Sequence, residues 1–274
     1  MPTLYIVATP IGNLEDITLR ALRILKEVKV IAAEDTRKTR RLLTACDIKT
    51  PMTSYYEHNK LSKLPELLCH LETGDVALVS EAGMPGISDP GFELVQAAIE
   101  QGITVVPVPG ASAITAALAV SGLPTNRFLF LGFLPPRTAA RRRALGEIAA
   151  EKATLVALEA PHRVLACLQD ILDVLGDRRI AVCRELTKLH EEVYRGSISQ
   201  AIAHFTAPRG EFTLVIQAGE GAKPAAPMDI AERMALLRGQ GRTAQEAIGA
   251  LAAETGQSRR ELYRLWLKSG KSAR

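Results

Sequence analysis

Short apolar runs alternate with amphipathic stretches along most of this chain. Leu4 to Ala8, Val30 to Ala33, Val76 to Val79 and Ile103 to Val108 have strand length and strand composition. Between them Ile17, Ala21, Leu22, Leu25 and Val28, then Leu42, Leu43 and Cys46, then the leucines of 61–71 recur at helical spacing. Asp16 is the expected N-cap of the first helix, and Asp35 or Thr36 that of the second. A helix ending near Gly102 precedes the fourth strand, and a small-residue helix runs from Ser112 to Gly122. Strand and helix in strict alternation favour a mainly parallel sheet.

The pattern then restarts. Arg127 to Phe133, Thr154 to Leu158, Arg179 to Cys183 and Phe212 to Gln217 read as strands, with Glu191 to Arg195 as an edge strand. Val164, Leu168, Ile171, Leu172 and Leu175 mark a helix that stops at Gly176. Residues 219–227, rich in Gly, Pro and Ala, have the composition of a linker. Helical signals follow at 230–237, 243–254 and 258–268. The fold class expected is therefore α/β, in two α/β domains at 1–122 and 123–220, with a small helical unit at 228–274.

Two turns carry most of the glycine and proline. Ser80-Glu81-Ala82-Gly83-Met84-Pro85-Gly86-Ile87-Ser88-Asp89-Pro90-Gly91 and Pro107-Val108-Pro109-Gly110-Ala111-Ser112 each follow a strand and enter a helix. Open α/β sheets bind ligands at such strand ends, and glycine lets main-chain N–H and C=O groups approach a ligand closely. These turns read as a cofactor cradle.

Composition narrows the chemistry. Cys46, Cys69, Cys167 and Cys183 form no CxxC pair, and the five histidines lack the spacing of a metal-ligating helix, so bound metal is not expected. There is no long uninterrupted apolar stretch and no basic, then apolar, leader pattern at Met1 to Val7, so a soluble cytoplasmic protein is expected. A net charge of +4 says little by itself, but its distribution says more. Arg37, Lys38, Arg40 and Arg41 form one basic group; Arg137, Arg141, Arg142 and Arg143 a second; Arg259, Arg260, Arg264 and Lys268 a third. Such groups suit phosphates, arginine especially because its guanidinium binds them in bidentate fashion, although each could equally be a solvated helix face. Arg37, Arg141, Arg142, Arg143 and Arg163 are the expected RNA contacts. Tyr55, Tyr56 and His58 could stack an extruded base or pack against the first domain.

Several motifs together resemble one family. They are Leu4 to Thr18 with its Thr9-Pro10-Ile11-Gly12-Asn13 loop, Ala33-Glu34-Asp35-Thr36-Arg37, the turn Ser80 to Gly91, Val108 to Ser112, Leu129 to Pro135 and Leu158-Glu159-Ala160-Pro161-His162-Arg163. In order and spacing, over about residues 1 to 220, they resemble the tetrapyrrole methylase superfamily and, within it, the branch acting on ribosomal RNA. The porphyrin-precursor members tend to show a Gly-Pro-Gly-Asp-like first loop and a Gly-Asp-Pro turn, where this chain has Pro10-Ile11-Gly12-Asn13 and Gly83-Met84-Pro85.

The resemblance implies two α/β domains with S-adenosylmethionine in the cleft between them, and a homodimer. It also implies 2′-O-methylation of a cytidine ribose in the decoding region of 16S rRNA, in the small ribosomal subunit. Carried over by motif, the cofactor positions are Pro10, Ala82, Gly83, Met84, Ile87, Ser112 and Ala113, with Glu159 and Leu186 from the second domain. A base for the ribose hydroxyl would come from Glu81 or Asp89, which bracket the central turn. Glu34, Asp35, Glu159, His162 and Glu185 are further candidates. The competing reading of Asp89 is a helix cap, since Ser-Asp-Pro-Gly commonly starts helices; that of Glu81 is an ion pair with Arg37 or Arg163. Arg163 and His162 are candidates to line the cleft toward substrate. Other functions compatible with the fold are a methyltransferase for a small tetrapyrrole and a non-catalytic RNA-binding assembly factor.

Overall fold

The computed structural model describes residues 2–219, 234, 237, 243–255 and 258–269. Met1–Gly219 packs as one compact unit and Glu220–Arg274 as a second.

The first sheet is all parallel. Its strands are β1 (Thr3–Val7), β2 (Val30–Ala33), β3 (Met52–Ser54), β4 (Val76–Val79) and β5 (Thr104–Val108), in the order β3-β2-β4-β1-β5. Every residue of β2 and β4 is buried, because helices cover both faces. On one face α1 (Leu19–Glu27) and α2 (Thr36–Ala45) place Ala21, Leu25 and Leu43 against Val7, Ile31, Ala33 and Val79. On the other, α3 (Lys60–Thr73) and α4 (Phe92–Glu100) place Leu67, Leu71, Leu94 and Ala98 against Leu4, Val30, Ala32 and Leu78.

Capping differs from expectation at one helix. Leu14–Asp16 is a 3₁₀ turn whose cap is Asn13, and Ile17 returns to extended backbone. Asp16 therefore cannot cap α1; Thr18 does, its hydroxyl accepting from Ala21 N–H at 3.1 Å. Asp35 caps α2, accepting from the N–H groups of Arg37 and Lys38.

The second sheet is mixed. Its strands β6 (Phe128–Phe133), β7 (Thr154–Glu159), β8 (Arg179–Arg184), β9 (Glu192–Ser197) and β10 (Phe212–Ile216) take the order β6-β7-β10-β8-β9. Only β6 and β7 run parallel, while β10 is antiparallel to both its neighbours and β9 is an antiparallel edge. One face is covered by α6 (Thr138–Glu147), α7 (Val164–Leu175) and α8 (Ile198–His204), through Leu145, Val164, Leu168, Ile171 and Ile198. The opposite face is covered by α5 (Ala113–Ser121), whose Ala117 and Leu118 pack on Val156, Ala181, Cys183 and Val215. So α5, which follows the last strand of the first sheet, buries its apolar side on the second. Gly122, where the first domain is expected to end, terminates this helix in the left-handed conformation.

In the second unit, α9 (Ala244–Thr255) and α10 (Arg259–Ser269) share a core of Met234, Leu237, Ala247, Ile248, Leu251, Leu262 and Trp266. Thr243 and Glu246 form a capping box at the start of α9. The linker from Glu220 onward, most of the helix expected at 230–237 and the Lys268 side chain lie outside the described residues. Among the described residues no helix is long and apolar enough to cross a membrane.

Candidate active site

Parallel strands deliver their following loops to one edge, and here the loops after β1, β4 and β5 meet there. Thr9 and Gly83 exchange two main-chain hydrogen bonds of 2.9 and 3.0 Å, which tie the first loop to the central turn. Gly83 has φ +80°, a conformation L side chains rarely adopt, and a Cβ there would lie 3.7 Å from the Ala111 carbonyl oxygen of the third loop. Gly83 thus touches both neighbouring loops, and Gly110 of the third loop also approaches Ala8 closely, since a Cβ there would lie 3.0 Å from the Ala8 Cβ.

The opposite wall comes from the second half of the same unit. A cavity of about 490 Å³ lies between Ala82, Gly83, Met84, Ile87, Ser112 and Ala113 on one side and Phe133, Leu158, Glu159, Cys183, Leu186 and Phe212 on the other. Asn13 N–H donates to Thr187 Oγ1 at 3.1 Å, so the first loop meets the loop after β8 directly. Ser88, Glu185 and Thr187, near or lining this cavity, hold positive φ angles of 66°, 51° and 67° without being glycine. Backbone of that kind clusters at ligand sites, where surrounding contacts over-determine it.

Eight of the nine residues expected to touch a cofactor line the cavity. Pro10 instead faces a neighbouring hollow of about 360 Å³. Glu34, Glu81 and Asp89 bring three carboxylates to the cavity from the first half of the unit, beside Glu159 and Glu211 from the second. Glu34 Oε2 accepts from Glu81 N–H at 3.1 Å. Burial first, and the Asp35 charge second, push the Glu34 carboxyl up against the opposing pull of Lys38. Burial and then the Glu34 charge raise the Asp89 carboxyl to about 6. Asp89 caps no helix: α4 starts one turn later behind Gly91, with no side-chain cap. Glu81 pairs with Lys38, rather than with Arg37 or Arg163.

Glu159 is fully buried in the wall. Its Oε1 accepts from Arg163 Nη2 at 2.6 Å and Ala160 N–H at 2.8 Å, while among the described residues Oε2 meets no nitrogen or oxygen donor. Cys167 behind it is held neutral by burial and by that carboxylate, and burial pushes the Cys183 thiol up to about 11.

The arginines expected on RNA separate. Arg37 is exposed on α2. Arg141 is not available, because its guanidinium is 3% exposed and bound to Asp170 and to the carbonyls of Pro135 and Pro136. Arg142 is held by Asp170 and Asp173, and Arg143 is exposed with Glu147 one turn away. Arg163 serves the Glu159 carboxylate instead of standing free for a phosphate. Tyr55 is completely buried, its hydroxyl raised to about 12 by desolvation first, so it cannot stack on a base; Tyr56 is exposed. Phe133, Phe212 and Thr213 line the cavity without a sequence signal to single them out, since core strands elsewhere carry the same residue types.

A model of the tetrapyrrole (corrin/porphyrin) methylases matches residues 3–202. The chain belongs to this family. A relative from Halalkalibacterium halodurans named ribosomal RNA small subunit methyltransferase I is 47% identical over 275 residues, 96% of this chain and 94% of its own. A Synechocystis protein of the same name is 48% identical over 98% of both chains. The fold is shared with the crystal structure of uroporphyrin III C-methyl transferase from Thermus thermophilus, at a TM-score of 0.57 and 21% identity over 78% of this chain and 97% of that one. Within this tetrapyrrole methylase, then, the cavity is walled by residues from both sheets and the loops that follow their strands.

Proposed function

We propose that this tetrapyrrole methylase is an S-adenosylmethionine-dependent ribosomal RNA methyltransferase. Its target is the 2′-O of a cytidine ribose in the decoding region of 16S rRNA, reached in the small ribosomal subunit. The observation that carries this reading is the near end-to-end likeness, at 47% and 48% identity, to relatives named ribosomal RNA small subunit methyltransferase I. Homodimerisation and a cytoplasmic location belong to the same proposal.

The cavity residues fit the cofactor. About 490 Å³ suits a nucleoside-sized ligand, and the mixed wall of Met84, Ile87 and Leu186 with carboxylates and close main chain suits a polar, cationic one. The buried Oε2 of Glu159, with no nitrogen or oxygen donor among the described residues, leaves an acceptor for a ligand donor. Gly83, Ser112 and Ala113 would hold it from the first half, Glu159 and Leu186 from the second. When bound, it supplies an electrophilic methyl group on a sulfonium.

The chain then has two tasks, alignment and proton removal. Correct orientation of reactants supplies roughly 7–11 kcal/mol of a barrier, whereas a positioned base supplies about 10²–10⁴-fold in rate. The two-sided cavity serves alignment. Of the two bracketing carboxylates, Glu81 is committed to Lys38, while Asp89, raised to about 6, has the basicity of a working proton acceptor near neutral pH. We therefore assign the ribose hydroxyl proton to Asp89, with Glu34 tuning it. Incubation of isolated small subunits with methyl-labelled S-adenosylmethionine tests the reading: label in RNA supports it, and label only in an added porphyrin precursor overturns it.

A further inference from the structure

Three hollows on the first unit are neighbours that share lining residues. The cofactor cavity shares Ile11, Glu81, Ala82 and Glu211 with the neighbouring hollow under Pro10. That hollow shares Arg41 with a third, surface hollow lined by Arg37, Arg40, Arg41 and short side chains of α2. Acidic groups crowd the inner end, at Glu34, Glu81 and Asp89, and arginines the outer end. Lys38 and Lys188 stand along the middle.

The arginines of α2 differ from the other basic group of this unit. Arg37, Arg40 and Arg41 are exposed, and among the described residues their side chains have no acidic partner. Arg141, Arg142 and Arg143 all have one. Asp35 at the start of the helix offsets part of the Arg37 charge, but three guanidinium groups without an ion-pair partner on adjacent turns leave a net positive potential. Such a surface suits a polyanion, with phosphate oxygens taken in bidentate fashion.

We propose that the α2 face of Arg37, Arg40 and Arg41 grips the RNA phosphates flanking the target nucleotide, which enters the cavity through the hollow under Pro10. This rests on the RNA-methyltransferase reading above. The helix holds the strand at the outer mouth while one nucleotide reaches inward past Lys38. Lys188 on the facing loop, paired with Glu185 and Glu211, closes the other side of that passage.

The test compares wild type, the triple variant Arg37→Gln/Arg40→Gln/Arg41→Gln and a control, Arg23→Gln, which removes an exposed charge on α1. Binding to isolated small ribosomal subunits is measured across a salt series, with thermal unfolding to confirm folding. Each lost phosphate contact lowers the log–log salt slope by about 0.7 for single-stranded RNA, so the triple variant should lose about 2 from the slope. It should also bind roughly tenfold or more weaker at low salt, with the control unchanged. A triple variant that keeps the wild-type slope and affinity overturns the proposal, even where wild type methylates the subunit. If wild type shows the α2-dependent slope but methylates no RNA, the surface stands and the catalytic reading falls.

Discussion

Arg141 Nε–H donates to Asp170 Oδ2 at 2.8 Å, with both side chains almost wholly inside the protein. The pair joins α6 to α7, and its second set of bonds fixes the Pro135 and Pro136 carbonyls where the chain leaves β6. Removing one member of a buried pair and leaving the other wholly unpaired destabilises by about 3–5 kcal/mol, but here Asp170 keeps Arg142 at 2.6 Å. Arg141→Ala should therefore lower stability in urea titrations by less than that. Its salt dependence of RNA binding should match wild type. A stable variant with a flattened salt slope would show that Arg141 reaches RNA after all.

Gly83→Val should act on the cofactor. A β-branched residue at φ +80° is strained by at least the roughly 1–2 kcal/mol of a left-handed residue, and relief requires breaking the two bonds to Thr9. Calorimetry should find S-adenosylmethionine affinity reduced at least about tenfold. Wild-type affinity in a folded Gly83→Val protein would remove this turn from the site.

Gly12 makes a similar prediction for the other wall. A Cβ there would lie 2.4 Å from Lys188 Cγ and 2.9 Å from the Leu186 carbonyl oxygen. Gly12→Ala must push back the loop after β8 and with it Leu186. The expected result is weaker cofactor binding with little change in unfolding midpoint, checked by calorimetry and thermal denaturation on one preparation.

Asp89 predicts a pH dependence of both rate and stability. Its folded-state pKa, about 6, lies above the usual carboxylate value, so the folded protein holds this proton more tightly than the unfolded chain does. The contribution to stability is full below about pH 4 and is lost as pH rises through about 6. Asp89→Asn should thus melt higher than wild type at pH 7 to 8, by a margin that shrinks toward pH 4. Methyl transfer by wild type should rise between pH 5 and 7, and that limb should vanish, with most of the rate, in Asp89→Asn. A pH profile unchanged by the substitution would assign the proton elsewhere.

Much of this arrangement is legible in sequence because it is local. The strands β1, β2 and β4 are short apolar runs, and Asp35 stands directly before the helix it caps. The Ser80 to Gly91 turn announces itself through glycine after a strand, and the cavity forms there. What escapes is set by partners distant along the chain. Arg141 looks like a surface arginine until Asp170, 29 residues on, is folded beside it. Asp89 carries a helix-start motif, yet Ser88 takes a positive φ and α4 begins behind Gly91, which frees the carboxylate for the cavity. The strand β3 is only Met52–Ser54, too short for a period-2 signal, and α5 crosses to the second sheet through contacts no local pattern encodes.

The most direct measurement maps the methyl group itself. Small subunits labelled by wild type and methyl-labelled S-adenosylmethionine are stripped of protein, and the rRNA is digested with alkali, which cleaves beside free 2′-hydroxyls only. The expected result is label confined to one alkali-resistant cytidine step within the decoding region, absent with Gly83→Val. Label on a base, on ribosomal protein, or on a cytidine whose linkage alkali still cleaves would contradict it.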